Sequence, residues 1–392
     1  MVNLETFFEE ELGILKEKNL YRSLRALDRK SGVRAVLEEK EVLLFCGNDY
    51  LGLSQHPRTK RAMKNATDDY GTGAGAARLV SGGSALHSRL EEKLARLKKK
   101  QRALLFSAGY LANLGTLAAL AGERDLVVMD KLCHASLIDG AVMSGAAVRI
   151  FPHKHYARLE EILEKSRGAR PNAPAEKIII VTDTVFSMDG DLADLPELVR
   201  IKERYGCFLV ADDAHGTGVL GLSGGGAAED LKLEDKIDVF TGTLSKALGG
   251  LGGFAAASGP VIEYLINRSR PFIFATALPA ALAAAAIEAL RVIEEEPAVR
   301  HRLWRNIQRV YEGLASAGFE VSPMASPIFP IVLGDEARAL EASQFLLERG
   351  IFIPAIRPPA VPKGKARLRL TVSAEHTEGE IAKLLGALRE MK

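Results

Sequence analysis

Short apolar runs alternate with helix-like segments between residues 100 and 258, and this alternation limits the possible folds more than any other feature of the chain. The runs are "ALLF", "LVVMD", "VRIF", "KIIIVTD", "CFLVAD", "DVFTG" and "GFAAAS". Strands that are apolar along their whole length are typical of a mostly parallel sheet with helices on both faces. The pattern therefore predicts an α/β fold in which residues 46–285 form one large domain.

The pattern changes after residue 285. Longer helical segments, at roughly 284–296, 298–317, 336–349 and 377–391, surround the runs "SPIFPIVL", "IFIPAI" and "RLRLTV". This mixture is typical of a smaller α+β domain. Residues 1–45 resemble a helical arm followed by a first hairpin strand, too short to fold alone. We predict an N-terminal arm over 1–45, a large domain over 46–285 and a small C-terminal domain over 286–392.

Charge and cysteine content exclude several classes of function. The chain has 52 basic and 50 acidic residues and a formal charge of +2, which argues against a partner that is a nucleic acid or a membrane surface. Cys46, Cys133 and Cys207 lie far apart without a CxxC pair, so we expect neither a disulfide framework nor a metal site. The N-terminus resembles neither a signal peptide nor a transit peptide. These features predict a cytoplasmic protein.

Lys246 stands among small residues directly after a predicted strand, in "TGTLSKALGGLGG". Open α/β sheets bind ligands beyond the carboxyl ends of their strands. The glycines at 249, 250, 252 and 253 allow a backbone to approach a ligand closely, and Thr243 and Ser245 offer hydroxyls for a phosphate. A desolvated lysine loses proton affinity and can form a Schiff base. The sequence predicts a cofactor lysine, against the alternative of a surface lysine.

Asp212 ends the run before that of Lys246. A buried carboxylate needs a cationic partner, and the pyridinium nitrogen of pyridoxal 5′-phosphate (PLP) is such a partner. Acidic strand ends also bind Mg²⁺ or cap helices, so those alternatives remain open. His215, three residues on, is predicted to donate to an oxygen of the same ligand. His134, after "LVVMD", either lies flat over an aromatic ring or is a core residue.

Two further segments suggest contacts with anions. "SAGYLAN" follows the run "ALLF" and opens a predicted helix, whose first backbone N–H groups, at Gly109 and Tyr110, can bind phosphate. No glycine cluster has the spacing of a nucleotide-binding loop. Arg367 and Arg369 share one face of a predicted strand, where an arginine can bind a substrate carboxylate or simply face solvent.

With these residues in place, the chain resembles the α-oxoamine synthases, fold-type I PLP enzymes that condense an amino acid with an acyl thioester and release CO₂. The resemblance runs through "FCGNDYLGLSQHP", "SGGSALHSRLE", "FSAGYLANLG", "DKLCHASLIDG", "TVFSMDGDLADL", "VADDAHGTGVLG", "GTLSKALGG" and "IRPPAVPKGKARLRLTVSAEHT". The segment "AIRPPAVPKGKARLRLT" favours members that join L-alanine to a pimeloyl thioester, on CoA or on a carrier protein. The resemblance implies a PLP-dependent acyltransferase of biotin biosynthesis.

The resemblance also implies roles for individual residues. Lys246 holds PLP as a Schiff base, Asp212 pairs with the pyridinium and His134 stacks on the ring. The remaining cofactor contacts are Ser187 and His215 at the phenolic oxygen, Gly109, Tyr110 and Thr243 at the phosphate, and Thr276 at the phosphate of the neighbouring subunit of a homodimer with a shared active site. The implied substrate contacts are Asn48 and Tyr50 in the N-terminal segment, Arg369 at the amino-acid carboxylate and Arg22 at the acyl chain.

One departure and three alternatives bear on the implied function. Asp183 and Thr184 stand where several family members carry Glu-Gly, a difference that affects contacts to CoA or to the reacting group. A sister enzyme that joins glycine to acetyl-CoA shares every cofactor motif. Another PLP aminotransferase or lyase, and a non-catalytic protein that keeps the fold, are the remaining alternatives.

Overall fold

A computed structural model describes residues 3–168, 175–321 and 323–391. The helices are α1 Leu4–Glu17, α2 Pro57–Tyr70, α3 Ala85–Leu97, α4 Gly109–Leu120, α5 Ala135–Met143, α6 Tyr156–Gly168, α7 Leu195–Tyr205, α8 Ala227–Asp230, α9 Gly259–Arg268, α10 Arg270–Ile273, α11 Ala280–Glu295, α12 Pro297–Ser316, α13 Glu336–Glu348 and α14 Glu378–Met391. The strands are β1 Asp28–Ser31, β2 Arg34–Leu37, β3 Lys40–Leu44, β4 Arg102–Phe106, β5 Leu126–Asp130, β6 Ala147–Phe151, β7 Ile178–Asp183, β8 Phe208–Asp212, β9 Val239–Thr243, β10 Gly253–Ala257, β11 Ile328–Gly334, β12 Ile351–Phe352, β13 Ala355–Ile356 and β14 Ala366–Thr371.

The chain divides into two compact units. The larger unit comprises residues 49–187 and 191–300, and the smaller unit comprises residues 1–48, 188–190 and 301–392. The division falls later than the predicted boundary at 285, which would cut through α11. Alanines of α11 pack on Ala66 of α2 and on Leu86 of α3, and the whole helix lies in the larger unit. Small side chains allow this close helix packing.

A seven-stranded sheet forms the centre of the larger unit. Its strand order is β4-β10-β9-β8-β7-β5-β6, and β10 runs antiparallel to both of its neighbours. The apolar runs named above form these seven strands. Their side chains pack with those of α4, α5 and α9 in one core cluster. The prediction of a large, mostly parallel sheet in a fold-type I architecture is confirmed.

Helix α7 shows how local sequence sets the ends of the covering helices. The side chain of Asp194 accepts a hydrogen bond from the backbone of Glu197 at its start, and Pro196 occupies the first turn, where its missing N–H is not needed. Gly206 ends the helix with φ of 63°, a conformation that glycine adopts without strain. The chain then returns directly into β8.

The smaller unit contains two sheets. Strands β1, β2 and β3 form an antiparallel meander, and β12 pairs with β3 in parallel. The arm therefore becomes part of this unit by strand pairing. The second sheet has the order β11-β14-β13, with both pairs antiparallel. Within the described ranges, no helix is long and apolar enough to cross a membrane.

Candidate active site

A cavity of about 280 Å³ in the larger unit lies where strands β5, β7, β8 and β9 end. The structure brings eight of the predicted residues to its wall, namely Gly109, Tyr110, His134, Ser187, Asp212, His215, Thr243 and Lys246. Carboxyl ends of parallel strands meet at one edge of a sheet, which is why residues so far apart in sequence converge.

Lys246 and His215 form a short polar chain with Tyr50. The Nζ atom of Lys246 lies 2.8 Å from Nε2 of His215, and the Tyr50 hydroxyl lies 2.7 Å from Nδ1 of the same ring. A lysine ammonium donates to Nε2, which places the ring proton on Nδ1, towards Tyr50. Tyr50 is fully buried and so fixes the orientation of His215. The predicted substrate contact at Tyr50 is therefore a direct partner of His215, a predicted cofactor contact.

Asp212 accepts hydrogen bonds from neutral donors. Its Oδ2 accepts from Nδ2 of Asn113 at 2.6 Å, and its Oδ1 accepts from the backbone N–H of Ala214 at 2.8 Å. Within the described ranges, no lysine, arginine or histidine forms an ion pair with this carboxylate, although it is buried. A buried carboxylate on a cavity wall that has only neutral donors favours a cationic ligand.

Asn113 links Asp212 to His134 through Ser136. The second Nδ2 proton of Asn113 is donated to Oγ of Ser136 at 2.9 Å, and this hydroxyl lies 2.7 Å from Nδ1 of His134. Burial lowers the pKa of the His134 imidazole, and the attraction of Asp212 does not outweigh it. His134 is therefore neutral at pH 7, and its Nδ1 accepts from the backbone N–H of Ser136 at 3.3 Å.

The start of α4 and the hydroxyl groups after β9 meet at one end of the cavity. Ala108, the residue before the helix, has no side chain that could cap its first N–H groups. A Cβ atom on Gly109 would lie 2.9 Å from Oγ1 of Thr243, so only glycine fits between the two segments. Oγ1 of Thr243 lies 2.7 Å from Oγ of Ser245. Backbone N–H groups and two hydroxyls at one place are suited to a phosphate.

Asp183 lies beside Asp212 on the cavity wall. The register of β7 and β8 pairs the two residues directly, and both are buried. Burial, and next the negative charge of Asp212, raises the pKa of the Asp183 carboxyl well above its ordinary value. The difference from other family members at position 183 therefore concerns a buried carboxyl group on the cavity wall whose pKa is raised.

The glycines after Lys246 have another role than the predicted one. Gly249 has φ of +67°, and a Cβ atom there would lie 2.1 Å from the backbone nitrogen of Ser54. A Cβ atom on Gly253 would lie 2.5 Å from the carbonyl oxygen of Ala108. These glycines allow chain segments to approach each other, and they do not line the cavity.

Besides Tyr50, four predicted residues are not among those that line this cavity. Thr276 forms a β-bridge with Ala77, and its carbonyl oxygen accepts from the Ser107 hydroxyl at 2.7 Å. In the smaller unit, Nη1 of Arg369 donates to Oδ1 of Asn48 at 3.0 Å. Arg22 is exposed, and Nη2 of its guanidinium donates to the carbonyl of Pro358 at 2.6 Å.

Both arginines of β14 are buried, which excludes the alternative of a solvated strand face. Nη1 of Arg367 donates to Oδ1 of Asp189 at 2.6 Å, within an ion pair of the smaller unit. Arg367 therefore has a carboxylate partner in the chain itself, whereas Arg369 bonds the side-chain amide of Asn48.

Sequence reasoning missed Asn113, Ser136 and Ala214 as cavity residues. Asn113 could have been predicted, because it stands four positions after Gly109 in the same predicted helix, and residues four apart lie on one face of a helix. Ser136 and Ala214 gave none, since their place on the wall depends on how the loops after β5 and β8 turn.

PLP fits the residues of the cavity. The carboxylate of Asp212 suits a protonated ring nitrogen, the uncapped start of α4 with Thr243 and Ser245 suits a phosphate, and Lys246 suits an aldehyde. The described residues include no group of three or more His, Cys, Asp or Glu side chains that could hold a metal ion.

Comparison with known proteins agrees with this chemistry. The family model described as "Aminotransferase class I and II" matches residues 40–388. A relative from Geobacter sulfurreducens named 8-amino-7-oxononanoate synthase is 48% identical over 380 residues, which are 96% of this chain and 96% of that protein.

Two solved structures resemble the whole fold. A serine palmitoyltransferase with PLP as its internal aldimine is 31% identical, with a TM-score of 0.92, and the match covers 100% of this chain and 98% of that one. An 8-amino-7-oxononanoate synthase from Francisella tularensis is 30% identical, with a TM-score of 0.76, over 89% of this chain and 97% of that one.

Proposed function

Because the chain belongs to the class I and II aminotransferase family and is a PLP-dependent enzyme, we propose that it catalyses the reaction of 8-amino-7-oxononanoate synthases. The reaction joins L-alanine to pimeloyl-CoA or a pimeloyl carrier-protein thioester, with loss of CO₂, in biotin biosynthesis. The observation that carries the proposal is the gathering of Lys246, Asp212 and His134 in one cavity. The choice of substrates rests on the named relatives.

Lys246, Asp212 and the start of α4 are proposed to hold the cofactor. Bound PLP supplies an electron sink that stabilises negative charge at the α-carbon of the amino acid. Asp212 keeps the proton on the ring nitrogen, since among the described residues its carboxylate accepts only from neutral donors and forms no ion pair. The neutral His134 fits the predicted stacking position without adding a second charge.

Lys246 is the proposed general base. Its amine takes the proton from the α-carbon of alanine, and Nε2 of His215, 2.8 Å away, orients the amine and accepts a hydrogen bond from it. Tyr50 holds His215 in turn. These contacts hold Nζ of Lys246 in one position, so the proton is transferred to that atom in a defined geometry.

Residues of the smaller unit are proposed to select the substrates. Arg369 binds the amino-acid carboxylate by a two-point contact, and Asn48 limits the movement of its guanidinium. Arg22 contacts the acyl chain, supported by its hydrogen bond to Pro358 within "AIRPPAVP". The three cysteines are free thiols, which fits the proposed cytoplasmic location.

A homodimer with a shared active site is also proposed. Thr276 pairs with Ala77 outside the cavity of its own chain, near Leu79, Val80 and Phe274, whose apolar side chains are exposed. Exposed apolar side chains of this size favour a subunit interface. Sedimentation equilibrium of the holoenzyme would give a monomer mass if this proposal were wrong.

An assay of CoA release tests the proposed reaction against its main alternative. The purified holoenzyme is given alanine with pimeloyl-CoA, or glycine with acetyl-CoA, and thiol release is followed. We expect turnover with the first pair and none in Lys246→Ala, which lacks the general base. Preference for the second pair would assign the sister reaction, and a protein that binds PLP without turnover of either pair would be a non-catalytic relative.

A further inference from the structure

His153 lies between β6 and α6, outside the residues that line the cavity. Both ring nitrogens contact carboxylates: Nδ1 lies 3.0 Å from Oδ1 of Asp130, and Nε2 lies 3.0 Å from Oδ2 of Asp191. Carboxylates accept hydrogen bonds and do not donate them, so both contacts are favourable only when the imidazole carries two protons. The arrangement is that of an imidazolium between two acids.

Asp130 controls the start of the segment that carries His134. It is the last residue of β5, and its Oδ1 also accepts from the backbone N–H of Leu132 at 2.8 Å. Its Oδ2 accepts from the backbone N–H of Lys154 at 2.9 Å. The turn towards His134 is therefore built on the same carboxylate that His153 binds.

Asp191 and Phe186 stand on either side of Ser187 in the chain. The N–H of Phe186 donates to the carbonyl of Asp191 at 2.9 Å. The imidazole of His153 meets the buried ring of Phe186 edge-on, with centroids 4.4 Å apart. The side chain of His153 thus contacts two residues, Phe186 and Asp191, that flank Ser187 in the chain and are hydrogen-bonded to each other.

We propose that His153 is a positioning residue whose cation ties the His134 segment to the Ser187 segment and sets the spacing of two cavity walls around the cofactor. The proposal rests on the proposed function only in that PLP is the cofactor bound there. His153 acts through Asp130, Asp191 and Phe186 and touches no reacting atom.

The charges around His153 support its role as a cation. Burial favours the neutral ring, but the hydrogen bonds and charges of Asp130 and Asp191 outweigh burial and raise the pKa of His153 to about 9. Other titratable groups near the two acids include Lys154, whose Nζ lies 3.0 Å from Oδ2 of Asp191, and Tyr156 at the start of α6. Asp183 and Cys133 also interact electrostatically with Asp130. The bridge is intact at pH 7 and is lost as the pH rises through about 9.

Equilibrium dialysis of the holoenzyme against free PLP tests the proposal. In His153→Gln, one nitrogen contact with a carboxylate is lost with the charge, and we expect the Kd for PLP to rise about 10- to 100-fold, by analogy with residues that orient metal ligands. His153→Arg, which restores a cation with several donors, should recover part of the affinity. The parent should lose affinity between pH 8 and 10 more steeply than His153→Gln does.

Lys154→Gln is the matched control. The Nζ atom of Lys154 forms an ion pair with Asp191, but this ammonium group does not bridge Asp191 to a second carboxylate. Its Kd should stay within about threefold of the parent. Parent-like PLP affinity in His153→Gln, or equal losses in both variants together with equal losses of urea stability, would overturn the proposal. A failure of the proposed reaction would appear in CoA release alone, with the effect of His153 on PLP binding unchanged.

Discussion

Two neighbouring aspartates at the end of β8, Asp212 and Asp213, face opposite sides of the chain and have different partners. On the reverse face, Asp213 is bound by Nζ of Lys98 at 2.5 Å and by the hydroxyls of Thr184 and Thr217. On the cavity face, Asp212 accepts only from the neutral groups of Asn113 and Ala214 among the described residues. Asp213 has its cation in the chain, and Asp212 is proposed to pair with a cation brought by a ligand. Identical neighbours in sequence therefore separate into a structural and a functional group according to their partners.

The largest expected effect is a loss of activity when the aspartate on the cavity face is replaced. In Asp212→Asn the negative charge for the ring nitrogen is lost, so kcat/KM should fall by about 10³-fold. The free energy of unfolding should change by less than about 1 kcal/mol, because the buried Oδ1 of Asn113 has no hydrogen-bond partner and can turn to accept from the new amide. Steady-state CoA release and urea unfolding measure both quantities. A parent-like rate would remove the distinction between the faces.

The next effect is a loss of stability when the aspartate on the reverse face loses its cation. Lys98→Met leaves Asp213 as a buried charge without its cation and should lower the free energy of unfolding by about 3–5 kcal/mol. The double variant Lys98→Met, Asp213→Asn removes that charge and should recover part of the loss. Urea unfolding of both variants provides the measurement. Equal stability of the single and double variants would show that the charge of Asp213 needs no partner.

A smaller effect extends the comparison to a titratable group of the smaller unit. His376 stacks on Phe45 at 3.9 Å, and its Nδ1 accepts from the backbone N–H of Ser373. Burial lowers the pKa of His376 to about 4. The unfolded chain binds this proton near pH 6.5, so the contribution of His376 to stability is complete above pH 6.5 and is lost as the pH falls towards 4.

The loss should reach about 3 kcal/mol at most. Urea unfolding between pH 7 and 4 measures it, and His376→Gln is the control, since it cannot titrate. If the free energy of unfolding has the same pH dependence in the parent and in His376→Gln, the prediction is wrong and the pKa of the buried ring is not lowered.

Much of the fold could be predicted from the sequence, because each strand of the larger sheet is an unbroken apolar run. The meeting of Lys246, Asp212 and His134 could be predicted because they stand at or soon after the ends of such runs, and sheet topology brings strand ends together. Their presence in one cavity follows from the confirmed fold, while their individual roles stay predictions.

Other features depend on contacts that no local pattern encodes. Asn113 enters the site because helix α4 is rotated to face Asp212, and the pairing of Asp183 with Asp212 is set by strand register. The boundary at 285 was misplaced because the alanines of α11 resemble either a helix of the small domain or the covering layer of the large one. Arg367 and Arg369 could not be distinguished, since Asp189 and Asn48 are distant in sequence.

The contact between Gly253 and the start of α4 limits how this enzyme can evolve. Gly253 begins the reversed strand β10, and its missing side chain leaves room for the backbone of Ala108 and Gly109. In a randomised library, codons 109 and 253 should remain glycine, while residues proposed to contact the acyl chain, such as Arg22, should accept variation. We therefore expect selection for a new acyl donor to change residues of the smaller unit and to leave the glycines beside the proposed cofactor site unchanged.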